Sequence, residues 1–124
     1  MHLNELRDEA LRIATEHGFN EASVLEEIAL MHSELSEAVE EYRAGNKPDQ
    51  VWYKPLVVDV QLVPGTVIAR DTLVEKSCGI PSEMADVIIR VLHFCGKHQI
   101  DIEKAVTEKM KYNDSRPYKH GKII

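Results

Sequence analysis

Cysteine is scarce: Cys78 and Cys95 are the two in the chain, and they lie too far apart for a CxxC zinc or redox motif. Cys95 falls inside an apolar helical run, so both read as buried free thiols in a reducing compartment, not as a disulfide framework. No stretch approaches the roughly 20 apolar residues that span a bilayer. The opening MHLNELRDEALRIATEHGF is charged throughout and lacks a signal-peptide apolar core. With no membrane segment and no address, the expectation is a cytoplasmic protein. A basic surplus is missing too: the net charge of −6 argues against a nucleic-acid polymer as partner, because phosphate affinity comes from clustered Lys and Arg. There is no P-loop, no GxGxxG turn, no Ser-His-Asp order, no internal repeat and no low-complexity segment.

What is present is an ordinary globular composition, 44% apolar and 29% charged over 124 residues. That length suits one domain, residues 1–124, with a modest core. The charge is unevenly spread. Carboxylates crowd Glu21 to Glu41, whereas Lys109, Lys111, Arg116, Lys119 and Lys122 make the far end basic. A chain of this kind is able to approach an anionic ligand from two sides.

Periodicity predicts four helices. Leu3, Leu6, Ala10, Ile13 and Ala14 repeat at three and four residues, giving a helix from about Leu3 to His17 that stops at Gly18. Ser23 and Glu26 fit a capping box, opening a second helix that runs to about Ala44 and ends at Gly45. Its expected buried stripe is Ile28, Met31, Leu35, Ala38, Val39 and Tyr42, with Glu34 and Glu37 at the edge of that stripe. A third helix begins near Pro81 and Ser82 and reaches about His98, burying Met84, Val87, Ile88, Val91, Leu92 and Cys95. Asp101 caps a fourth, to about Tyr112, with Ile102, Ala105, Val106 and Met110 inward. Between the second and third helices, residues 51–77 are rich in Val and β-prone. Leu56 to Val63 and Thr66 to Val74 are expected to form a hairpin about Pro64-Gly65. A lone hairpin is marginal in water, so it should pack on the bundle or on a neighbouring subunit. Residues 114–124 form a basic tail.

Two acidic pairs carry the chemistry: Glu34 and Glu37 in HSELSEAVEEYR, and Glu83 and Asp86 in GIPSEMADVIIRVL. Members of each pair are three apart, so on a helix they share a face, about 5–6 Å apart at Cβ. Most helical acids are solvated, and Glu27, Glu40 and Glu41 are expected to be. The second pair differs because VIIRVLHF follows it, and a helix this apolar is not mostly exposed. Carboxylates on its flank need partners, since an unpaired buried charge costs several kcal/mol. Four carboxylates facing inward make a hard-cation site, and Mg²⁺ is usually held by carboxylates together with substrate phosphates. A nucleotide polyphosphate is therefore the first substrate class. A ferritin-like di-iron site would need Glu-x-x-His on two helices, and neither His32 nor His93 stands at that spacing from these acids. Trp52 and Tyr53 are either a base-stacking pair or a packing anchor.

In these residues the chain resembles the MazG-like all-α nucleoside triphosphate pyrophosphohydrolases. Their signature, EExxE and then ExxD on the next long helix, stands here as Ser33-Glu34-Leu35-Ser36-Glu37 and Glu83-Met84-Ala85-Asp86. The closing EKMKYNDSRPYKHGKII also looks like the end of small MazG-like proteins. The likeness covers roughly Leu3 to Gly45 and Gly79 to Ile124. Ser33 departs from the signature's first acid, and the Val-rich insertion lengthens the gap between the halves, which leaves substrate preference and oligomer geometry open.

The resemblance implies an all-α, four-helix-bundle MazG-like architecture with a hairpin insertion between helices 2 and 3. It implies Mg²⁺, or Mn²⁺ in its place, on Glu34, Glu37, Glu83 and Asp86. The implied reaction is hydrolysis of a (deoxy)nucleoside triphosphate to the monophosphate and pyrophosphate, water attacking the α-phosphorus, in nucleotide-pool house-cleaning. Glu37 or Glu34 would serve as general base. Lys109 and Asn113, four apart on the last helix, become candidates for substrate contact. Arg116, Tyr118 and Lys119 follow in the tail, the Arg able to grip phosphate by its bidentate fork. The family's dimers and tetramers imply a homo-oligomer. The alternatives are a phosphoribosyl-ATP pyrophosphohydrolase, with the same metal chemistry on another substrate, and a non-catalytic helical interaction module.

Overall fold

The computed structural model describes residues 2–63 and 66–121. The Pro64-Gly65 turn and Lys122 lie outside them. Among the described residues are four α-helices and two paired strands: α1 Leu3–Glu16, α2 Val24–Arg43, β1 Trp52–Val63, β2 Thr66–Cys78, α3 Ile80–Lys97 and α4 Ile102–Ser115, followed by a 3₁₀ turn Tyr118–Gly121. The fold is mostly helical, with a two-stranded antiparallel sheet between the second and third helices. Among the described residues, no helix is long and apolar enough to cross a membrane.

Local signals set the helix ends. Ser23 Oγ accepts from the Glu26 amide at 3.2 Å, and Glu26 Oε1 accepts from the Ser23 amide at 3.3 Å, the reciprocal capping box that opens α2. Gly45, at φ +95°, stands just beyond its end. Asp101 Oδ1 accepts from the Lys104 amide at 3.1 Å and caps α4. That helix continues one turn past the expected Tyr112, through Asn113 and Asp114 to Ser115, because Pro117 is the first residue that cannot donate to it.

Two compact units emerge, Met1–Met31 with Ile88–Ile124, and His32–Val87. In the first, α1 packs on α4. Asn4 bridges to both Glu103 and Asp101, and Arg7 Nη1 donates to the Ile100 carbonyl at 2.8 Å. Gly96 lets α1 come close: a Cβ there would stand 3.0 Å from Leu11 Cβ. Leu92 and Cys95 are buried here, and burial pushes the Cys95 thiol pKa up. Cys78, in the second unit, is also a buried free thiol.

The second unit holds the hairpin and the ends of α2 and α3 nearest it. The strands pair from Trp52↔Cys78 through Val58↔Thr72, then shift register toward Val63↔Thr66. They are longer than the Val-rich pattern alone suggests because the base of the hairpin is tied down. Trp52 Nε1 donates to Glu41 Oε2 at 3.3 Å, and Ser82 Oγ donates to the Ser77 carbonyl at 2.9 Å. Gly79, at φ +106°, makes the turn from β2 into α3, where any Cβ would overlap the Gln50 carbonyl oxygen.

One expectation is overturned along α2. Glu27 and Glu34 are buried and Glu41 half-buried, with Met31 and Ala38 beside them, whereas Leu35, Val39 and Tyr42 are exposed. The enclosed positions are Glu27, Glu34 and Glu41 with Met31 and Ala38 of the expected stripe, and Ile28 is exposed with the rest of that stripe. Glu27, expected in solvent, is held by Lys97 Nζ at 2.5 Å, with His98 Nε2 3.4 Å away. A charge this enclosed is tolerated because its partner is enclosed with it.

Candidate metal centre

The second unit brings together acids that are far apart in sequence. Glu34 and Glu37 project from α2 one turn apart, and Glu83 and Asp86 from the first turns of α3. Pro81 costs that first turn no hydrogen bond, since amides there have no intrahelical acceptor. Glu34 is 6% exposed, while Glu83 and Asp86 are half-buried. One carboxylate oxygen each from Glu34, Glu83 and Asp86 lies within 4.8 Å of the others. Glu37 is more exposed and lies beside Glu83.

Charges of one sign at such spacing repel by roughly 3–4 kcal/mol per pair at a near-surface dielectric. The cluster responds by holding a proton. Burial, then the hydrogen bond to Glu37, then the charges of Glu37, Asp86 and Glu34 raise the Glu83 pKa to about 7. Glu83 Oε2 is buried and has no hydrogen-bond partner, an acceptor without a donor. An all-oxygen set with an orphaned carboxylate oxygen fits a hard divalent cation such as Mg²⁺. Glu34, Glu83 and Asp86 are the residues that would hold it, with Glu37 against them.

The five residues considered for substrate contact belong to the other unit. Lys109, Asn113, Tyr118 and Lys119 are exposed and Arg116 is half-buried. Lys109 Nζ and Arg116 Cζ stand 5.4 and 5.5 Å from the Tyr112 ring centroid, in cation–π range. Lys119 Nζ is 5.8 Å from the Tyr118 ring, and the Asn113 carbonyl accepts from the Arg116 amide at 3.3 Å.

Two features escaped the sequence reading. A groove of about 360 Å³ adjoins the acids, Glu37 and Glu83 lining it together with Glu41, Ala44, Asn46 and Trp52. Glu41, expected in solvent, is half-buried there, its Oε2 accepting from Asn46 Nδ2 at 2.5 Å as well as from Trp52. The seven-residue spacing from Glu34 is the signal that would have found it. In the first unit, a cavity of about 310 Å³ is lined by Phe19, Glu26, Glu27, Leu30, Arg90 and His93. His93 Nε2 is 2.7 Å from Asn20 Oδ1, and burial lowers its pKa.

No protein-family model matches the chain, and no curated protein or solved structure matches it either.

Proposed function

We propose that this protein is a Mg²⁺-dependent nucleoside triphosphate pyrophosphohydrolase of MazG-like type, cytoplasmic and homo-oligomeric. The observation that carries the reading is the convergence of Glu34, Glu83 and Asp86 to within 4.8 Å, with Glu37 beside Glu83. These are the four acids that the resemblance names. Mg²⁺, when bound, supplies Lewis acidity toward water and charge compensation toward the phosphates.

The protein's own part is positioning and proton handling. Glu34, the most enclosed of the four, is fixed by its burial. Glu37 is exposed enough to meet a water molecule and lies beside Glu83, which suits it to accept the proton of the attacking water as general base. Lys109 and Arg116 carry charge that complements phosphate oxygens. Exposed apolar side chains on α2 and α3, Val39, Tyr42, Ile88 and Ile89 among them, support self-association.

The test is incubation of the purified protein with a panel of dNTPs and NTPs, with Mg²⁺ or with EDTA, resolving products by ion exchange. Monophosphate and pyrophosphate are expected, only with metal. Glu37→Gln should lower kcat by about 10²–10⁴-fold while leaving helix content unchanged. Diphosphate with orthophosphate, or no product from any nucleotide, is the contrary result.

A further inference from the structure

The groove beside the acids has a chemistry of its own. Its described lining includes four carboxylates, Glu37, Glu40, Glu41 and Glu83, and no Lys or Arg. A polyphosphate would be repelled from such walls. A neutral group that donates hydrogen bonds would not, because ionised carboxylates only accept. The volume of about 360 Å³ falls within the range of roughly 300–1,000 Å³ usual for small-molecule sites.

Glu41 is built to read a donor. Asn46 Nδ2 and Trp52 Nε1 both donate to its Oε2, at 2.5 and 3.3 Å. Two donors on one oxygen pin the carboxylate and leave the acceptor capacity of Oε1 for something else. The pinning residues come from different places, Asn46 from just beyond α2 and Trp52 from the first position of β1, so the hairpin contributes directly to this wall. Glu37 and Glu83 line the groove and also belong to the acidic cluster. A ligand anchored at the cluster by its phosphates would thus have its nucleoside end beside Glu41.

We propose that Glu41, held by Asn46 and Trp52, is the specificity-determining residue of the substrate's nucleoside end, accepting a hydrogen bond from the exocyclic base amine or the sugar 2′-hydroxyl. This rests on the pyrophosphohydrolase reading. It makes the hairpin base part of substrate selection, and it separates the molecule's two tasks: cation and phosphate at one end of the acids, an uncharged donor edge at the other.

The experiment compares kcat/KM for dCTP against dUTP, which differ in the amine, and for CTP against dCTP, which differ in the 2′-hydroxyl, in wild type and Glu41→Gln. Wild type should favour the donor-bearing member of one pair by about 10-fold or more, as expected for a hydrogen bond to a charged acceptor. Glu41→Gln keeps the shape but replaces an acceptor with a donor, and should bring that ratio toward one; the pair that responds identifies the donor. General damage to the fold would lower both members of a pair together and leave their ratio intact. Asn46→Ser, which removes one of the pinning donors, should lower the same ratio by a smaller factor. Turnover in which Glu41→Gln leaves both ratios at their wild-type values overturns the role of Glu41 alone. Absence of turnover of every nucleotide by wild type overturns the pyrophosphohydrolase reading, and this inference with it.

Discussion

The carboxyl of Glu83, on α3, stands against that of Glu37, on α2. Burial and this pairing together move the Glu83 pKa from 4.5 to about 7, which has a consequence for the stability of the metal-free protein. Between those two values the folded chain keeps a proton that the unfolded chain has released. The stabilisation is therefore complete below about pH 4.5 and lost as pH rises through about 7.

Thermal melts in EDTA should show it. The melting temperature of Glu83→Gln relative to wild type should rise between pH 5 and pH 8, because the amide cannot ionise. The gain at pH 8 should be about 1–3 kcal/mol, the usual penalty for a buried group left without compensation. A difference between the two proteins that is independent of pH is the contrary outcome.

Metal binding should run the other way. A cation needs the charged carboxylate, so below about pH 7 its binding must expel the Glu83 proton. Mg²⁺ affinity should rise between pH 6 and pH 8, by at most tenfold per pH unit for one proton released. Calorimetric titration in two buffers of different ionisation enthalpy counts that proton. At 100 times its Kd, Mg²⁺ should stabilise the fold by about 2.7 kcal/mol. Glu34→Gln and Asp86→Asn should lose that stabilisation.

The helix ends were legible from local chemistry, because Ser23 with Glu26, Asp101, and Gly18 and Gly45 act within a turn of themselves. The acid pairs were legible for the same reason, three-residue spacing being a property of one helix. What was not legible depends on residues far away. Glu27 reads as solvent-facing until Lys97, seventy residues on, is placed against it. Glu41 looks like one more surface acid until Asn46 and Trp52 converge on it. Hydropathy puts Leu35, Val39 and Tyr42 inward, yet the partnered carboxylates take that place. Likewise, the contacts at the hairpin base carry the strand back through Trp52 to Pro55, ahead of the expected start at Leu56.

Gly79 makes a sharp prediction at the hairpin's exit. Its φ of +106° is one that side chains resist, and a Cβ would overlap backbone, the Gln50 carbonyl, and not a yielding side chain. Gly79→Ala should destabilise by about 1–3 kcal/mol, read from urea unfolding. It should also weaken Mg²⁺ binding, since Glu83 lies four residues along the helix that Gly79 introduces and its amide donates to the Gly79 carbonyl at 3.1 Å. Gly18→Ala is the control: its φ is +79° but its Cβ would meet nothing within 4 Å, so it should carry the backbone cost without the effect on metal.

The Glu27–Lys97 pair tests whether the inward carboxylate face of α2 is a source of stability or a constraint met by compensation. Glu27 is 6% exposed, and Lys97 Nζ sits 2.5 Å from its Oε1 and 2.6 Å from the Ala22 carbonyl. Removing the lysine alone, as Lys97→Met, strands the carboxylate and should cost about 3 kcal/mol. Removing both charges, as Glu27→Leu with Lys97→Met, should recover most of that loss, because apolar side chains of similar volume fill a buried ion-pair site without a desolvation penalty. The double-mutant cycle from denaturant unfolding isolates the coupling. If the single and double variants are equally unstable, the shape of the Lys97 stem, rather than its charge, holds this end of the molecule together.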